Sequence, residues 1–134
     1  MTAAAPSEAL FAGGAPTAAG YRDVTPAALH AALDAVRAAR ADGPPDVRLV
    51  DVREAHELAS ELGHIVGVEH VPVAEVPAAA TAWPRDQTIV LICRSGARSA
   101  RAAQGLVAAG FGRVMNLAGG MLAYRAAGYP TAQR

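Results

Sequence analysis

Lysine is absent from the 134-residue sequence, and all 12 basic residues are arginine. A lysine Schiff base and a lysine phosphate cradle are thereby excluded. Cysteine occurs once, at Cys93, so there is neither an intrachain disulfide nor a cysteine-pair metal site. Neither sign of charge is in excess: the 12 arginines face 12 acidic residues, and the pI lies near 6.9. The general electrostatic case for nucleic acid or an anionic membrane is therefore missing. No apolar run approaches the length of a membrane span. The first 20 residues lack a basic stretch and are broken by Pro6, Gly13, Gly14 and Pro16. They read as a disordered tail rather than a secretory signal, which makes the cytoplasm the expected compartment and keeps a lone thiol reduced.

What is present is one domain's worth of apolar sequence, expected over residues 21–130. Apolar residues make up 52% of the chain, although 34 of them are alanine, which buries little area. Thr25-Pro26 reads as a helix cap followed by a first-turn proline, and Leu29, Leu33 and Val36 recur at helical spacing up to Gly43-Pro44-Pro45. Strands are expected at Val47 to Val52, Val68 to Val73, Thr88 to Ile92 and Val114 to Leu117. Helices are expected at Glu54 to Ser60, Ala74 to Ala82 and Arg98 to Ala109, and from Gly119-Gly120 to about Gly128. This alternation predicts an α/β domain with a mostly parallel sheet.

The chemically informative stretch is TIVLICRSGARSARAAQ, residues 88–104. Cys93 closes the most apolar strand, and a Gly-containing loop then enters a helix. In open parallel sheets ligands bind at the carboxyl ends of strands. A side chain at such an end sits among converging backbone N–H groups, a setting for an anion. The helix dipole and the N–H donors are expected to lower the thiol pKa, with Arg94 and Arg98 adding positive charge, and to leave a thiolate poised for attack. A lone Cys in a small domain is more often a buried hydrophobe. A core Cys, however, has no need of Arg, Ser, Gly and Arg directly after it at a strand-to-helix junction.

The run Cys93-Arg94-Ser95-Gly96-Ala97-Arg98-Ser99 resembles the active-site loop of rhodanese-like sulfurtransferases. Leu49-Val50-Asp51-Val52-Arg53-Glu54 is similar to the family's first core strand and the Arg that follows it. Gly63-His64-Ile65, with Gly67 and Val71-Pro72, resembles its Gly-His-Ile segment, and Asn116-Leu117 through Gly120-Met121 its C-terminal Gly-Gly turn. Val66, Val68 and Tyr124 depart from the residues usual there. The resemblance implies a five-stranded parallel sheet with helices on both faces. It also implies a two-step reaction: the Cys93 thiolate takes the sulfane sulfur of a donor such as thiosulfate, and the Cys93 persulfide passes it to cyanide or a thiol. Amides of residues 94 to 98 would hold the persulfide charge. Arg98 and Arg94 would draw in a small anionic donor through a guanidinium fork. No metal and no other cofactor is implied, and the acceptor is an outside thiol, small or protein-borne.

Two other readings remain open. Cysteine-dependent phosphatases and arsenate reductases use a loop one residue longer than the four that separate Cys93 from Arg98. A non-catalytic sulfur-carrier or binding module on the same fold is the other. Asp51 and Arg53 are expected at the active face, with Asp51 orienting the loop or simply pairing with Arg53. His64 is expected to bond backbone near the loop. His56, His64 and His70 lack zinc spacing. His30, Asp34 and Arg37 read as a solvated helix face, and Trp83 as packing.

Overall fold

The computed structural model describes residues 6–38 and 47–133. Five strands form the parallel sheet: β2 (Arg22–Val24), β3 (Val47–Asp51), β4 (Glu69–His70), β5 (Thr88–Ile92) and β6 (Val114–Leu117). A sixth strand, β1 (Ala15–Pro16), pairs antiparallel with β2 at the edge, so the sheet is mixed and runs β1-β2-β6-β5-β3-β4. The expected count of five holds for the parallel part and misses this edge strand.

β5 is central, and all five of its residues are buried. A strand covered on both faces reads as a continuous apolar run. Its side chains still alternate. Val90 and Ile92 join a core with Leu29, Leu33, Met121 and Tyr124, whereas Ile89, Leu91 and Cys93 join one with Val76, Ala80, Ala103 and Leu106. Helices therefore cover both faces, as expected. On the first lie α1 (Pro6–Ala12), α2 (Pro26–Ala38) and α6 (Gly120–Ala126). On the second lie α4 (Val76–Ala80) and α5 (Ala97–Ala108). Trp83 is buried in the second core. The chain leaves β3 for β4 on one side and β5 for β6 on the other. Such a reversal places the ligand crevice outside the carboxyl ends of β3 and β5.

The tail expected over residues 1–20 needs correcting. Pro6–Ala12 is helical, Leu10 and Ser7 are buried, and Arg22 donates to the Phe11 carbonyl at 2.9 Å. Leu10 gives this Ala- and Gly-rich segment an apolar anchor in the first core. Residues 1–5 lie outside the described residues, as does Gly43-Pro44-Pro45. His30 is not on a solvated face: it stacks on Tyr129 at 4.2 Å between ring centres. The strand expected over Val68 to Val73 shortens to β4, with a 3-10 turn at Val73–Glu75. The helix expected over Glu54 to Ser60 shortens to α3 (Ala55–Leu58).

Candidate active site

Cys93 follows β5, and its Sγ is buried at the start of the loop into α5. The Gly96 amide donates to Sγ at 3.0 Å, and the Ser99 hydroxyl lies 3.2 Å away. Gly96 holds φ at 101°, the left-handed conformation that turns the chain into the helix. The loop is braced from behind by the start of α6. Met121 donates its amide to the Cys93 carbonyl at 2.9 Å, and Leu122 to the Arg94 carbonyl at 3.0 Å. A Cβ on Gly120 would meet both of those carbonyl oxygens at 2.5 Å, so only glycine permits the approach. With its first carbonyls tied backward, the loop turns its amides forward, toward the sulfur.

Burial opposes ionisation of Cys93. The Ser99 hydroxyl and the amides of Ser99, Gly96 and Ser95 outweigh it, and the thiol titrates below its ordinary range. The amides among these donors are the backbone dipoles expected to lower it; the arginine charges expected to add to them are not among its leading causes. Arg94, Ser95 and Ala97 are exposed at the mouth, while Gly96 and Ser99 are buried beneath it. The Arg94 side chain forms no hydrogen bond or ion pair among the described residues.

Arg98 differs from expectation. Its two terminal nitrogens donate to the two carboxylate oxygens of Glu57, each at 2.8 Å, so its fork is already filled. Glu57 also accepts the Glu54 amide at 2.8 Å in a reciprocal cap of α3. The hydrogen bond to Arg98 chiefly holds the Glu57 carboxyl at about 2, against the resistance of burial.

Asp51 does not reach the loop. Its carboxylate accepts the Arg53 amide at 3.1 Å and the Arg53 guanidinium at 2.9 and 2.7 Å. Arg53 continues to the carbonyls of Gly63, at 2.7 Å, and Glu57, at 3.3 Å. The buried pair thus ties the end of β3 to α3 and to the following turn. His64 bonds backbone, as expected, but not near the loop: Nδ1 is 3.3 Å from the Leu58 carbonyl, and its own backbone bridges to Ala132.

Two side chains at the site carried no expectation. One is Glu57. The other is Asn116 on β6, whose Oδ1 lies 2.5 Å from the Ser99 hydroxyl and whose Nδ2 donates to Asp23 at 3.3 Å and to the Gly96 carbonyl at 3.4 Å. Ser99 therefore has one hydrogen and several acceptors, including Sγ. Asn116 already stood in the Gly-Gly motif, and the Glu54-x-x-Glu57 spacing is a local cap signal; neither points to a distant partner.

A mostly parallel sheet thus delivers a buried cysteine to the head of a loop whose Gly96 amide donates to its sulfur, within an α/β fold covered by helices on both faces. Residues 32–127 match the family described as "Rhodanese-like domain", and the chain belongs to that family. It is 41% identical over 85 residues to a sulfurtransferase of Allochromatium vinosum, covering 63% of this chain and 78% of that one. It is 38% identical over 82 residues to the putative sulfur carrier protein YrkF of Bacillus subtilis, covering 61% of this chain and 43% of that longer protein. A solved rhodanese-related protein from Thermoplasma volcanium superposes with a TM-score of 0.69 at 26% identity, covering 85% of this chain and 100% of that one. No helix among the described residues is long and apolar enough to cross a membrane.

Proposed function

We propose that this protein is a sulfurtransferase that moves a sulfane sulfur from a small anionic donor such as thiosulfate, by way of a Cys93 persulfide, to cyanide or to an outside thiol. The observation that carries the reading is the Cys93 sulfur itself, held by the Gly96 amide at 3.0 Å and facing the Ser99 hydroxyl at 3.2 Å. In the first step Sγ bonds to the outer sulfur of thiosulfate, the S–S bond of the donor breaks, and its electron pair leaves as sulfite. In the second step an acceptor nucleophile takes the terminal sulfur and the thiolate returns. Splitting the transfer in two is covalent catalysis with ping-pong kinetics. The amides of residues 94 to 98 keep the persulfide charge solvated inside the fold. The only cysteine is used as the nucleophile, so the acceptor comes from outside, in keeping with a reducing cytoplasmic setting.

The test is intact mass after incubation with thiosulfate. Wild-type protein gains one sulfur atom, which a thiol reductant removes; Cys93→Ser gains none and transfers no sulfur to cyanide while keeping its fold. Turnover retained in Cys93→Ser overturns the assignment. Hydrolysis of an aryl phosphate without sulfur transfer would favour the phosphatase reading, against which the short Cys93–Arg98 loop stands.

A further inference from the structure

A donor carrying a sulfonate group presents its oxygens in a plane that a guanidinium fork matches. On the Cys93 loop the fork is Arg98, and it is filled from within by Glu57 at 2.8 Å on both arms. The carboxylate is not a loose surface group. Its Oε2 also accepts the Glu54 amide at 2.8 Å, and the backbone carbonyl of the same residue accepts from Arg53 at 3.3 Å. The buried Asp51–Arg53 pair therefore fixes the short helix that carries Glu57. The Glu57 carboxyl, held at about 2 by Arg98, keeps its charge at neutral pH. Arg98 stands in the first turn of α5, two residues past the Gly96 whose amide donates to Sγ, so the pair borders the Cys93 loop. The remaining cation of the loop is Arg94, exposed at the mouth.

Resting on the sulfurtransferase reading, we propose that Glu57 selects donors by charge: its carboxylate occupies the Arg98 fork where a sulfonate would sit, so the site disfavours dianionic donors and favours sulfane-sulfur donors of lower negative charge. A dianion must either displace Glu57 or approach with its carboxylate still in place. A monoanion meets half that repulsion and does not depend on the fork. The chemistry is the same for both. With thiosulfate, the thiolate bonds the outer sulfur and sulfite leaves with the electron pair. With methanethiosulfonate, the same bond forms and methanesulfinate leaves. Charge balances in each, and no proton moves.

The experiment measures the rate of Cys93 persulfide formation, by quenched intact mass, with thiosulfate and with methanethiosulfonate. It is run on wild type, Glu57→Gln, Arg98→Ala and the double variant. The readout is the ratio of the two rates within each protein, so any loss of active fraction cancels. Gln keeps an oxygen for the Glu54 amide. Glu57→Gln should raise the thiosulfate-to-methanethiosulfonate ratio about fivefold, the scale of a partly exposed ion pair. Arg98→Ala should lower the ratio in both backgrounds, since each loses a cation, but by about twofold in wild type and about fivefold once Glu57 is Gln, because only then is the fork also free to hold the donor. A ratio unmoved by Glu57→Gln, or equal effects of Arg98→Ala in both backgrounds, overturns the inference while leaving the sulfurtransferase reading standing. Absence of sulfur on Cys93 from either donor overturns both.

Discussion

Asp51–Arg53 and Glu57–Arg98 are the same chemical pair in two settings, and α3 lies between them. The first pair is sealed, its side chains 0% and 1% exposed; the second opens to solvent, with Glu57 18% and Arg98 36% exposed. In the sealed pair every nitrogen of the guanidinium has an acceptor, because unmet N–H groups in the interior are costly. That is why Arg53 also holds the carbonyls of Glu57 and Gly63. In the open pair water stands ready to replace either partner, so the contact is weak and exchangeable. A rigid pair that locates an adjustable one is a way to fix a charge at the edge of the Cys93 loop without freezing the mouth of the site.

The comparison can be broken most directly at the sealed pair. Arg53→Ala leaves the Asp51 carboxylate buried and alone, and should cost about 3–5 kcal/mol of stability, read from urea unfolding. A loss below about 1 kcal/mol would place Arg53 with the surface pairs. The next effect concerns what stabilises the thiolate. Ser99→Ala removes a donor to Sγ and should raise the midpoint of the iodoacetamide rate-versus-pH profile by roughly one unit, since a hydrogen bond to a charged group is worth about 1.5–3 kcal/mol before solvent makes up part of it. Arg98→Ala should raise it by less, its charge being already answered by Glu57. The opposite order would mean that arginine charge, not the ring of dipoles, carries the ionisation.

The smallest effect is the acid dependence of the open pair. Glu57 has its folded pKa lowered, from 4.5 to about 2, so its contribution is fully present above the unfolded value and is lost as pH falls from about 4.5 toward 2. Glu57→Gln should flatten stability over that window by no more than about 1 kcal/mol, since the pair is partly exposed. Urea midpoints for the two proteins that fall in parallel between pH 5 and pH 2 would remove the pair from the stability of the fold.

β5 and the Cys93 loop were legible because a strand buried on both faces leaves an unbroken apolar run, and the turn after it demands glycine. β6 and α6 were legible through the Gly-Gly turn between them. β2 was not: its three residues, Arg22–Val24, are mostly polar, and pairing with β6 makes the strand, not propensity. α1 and β1 were hidden by alanine, glycine and proline, which give no periodicity to read. At the site, the cysteine and its amide donors were readable from local order. The partner of Arg98 was not, because Glu57 lies 41 positions away and a pair formed across two elements leaves no local trace. The same holds for Asn116, 17 positions from the Ser99 hydroxyl it meets.

The close seat of Gly120 against the Cys93 and Arg94 carbonyls bears on how this site could be moved to another scaffold. A graft that copies residues 93–99 alone would bring the cysteine and the first turn of α5, yet leave two carbonyls without the amides that hold them. The transplantable unit is the loop together with the Gly119-Gly120 corner and the first turn of α6, whose amides anchor those carbonyls at 2.9 and 3.0 Å. In engineering terms the site is a two-piece part, and its second piece contains no reactive group at all.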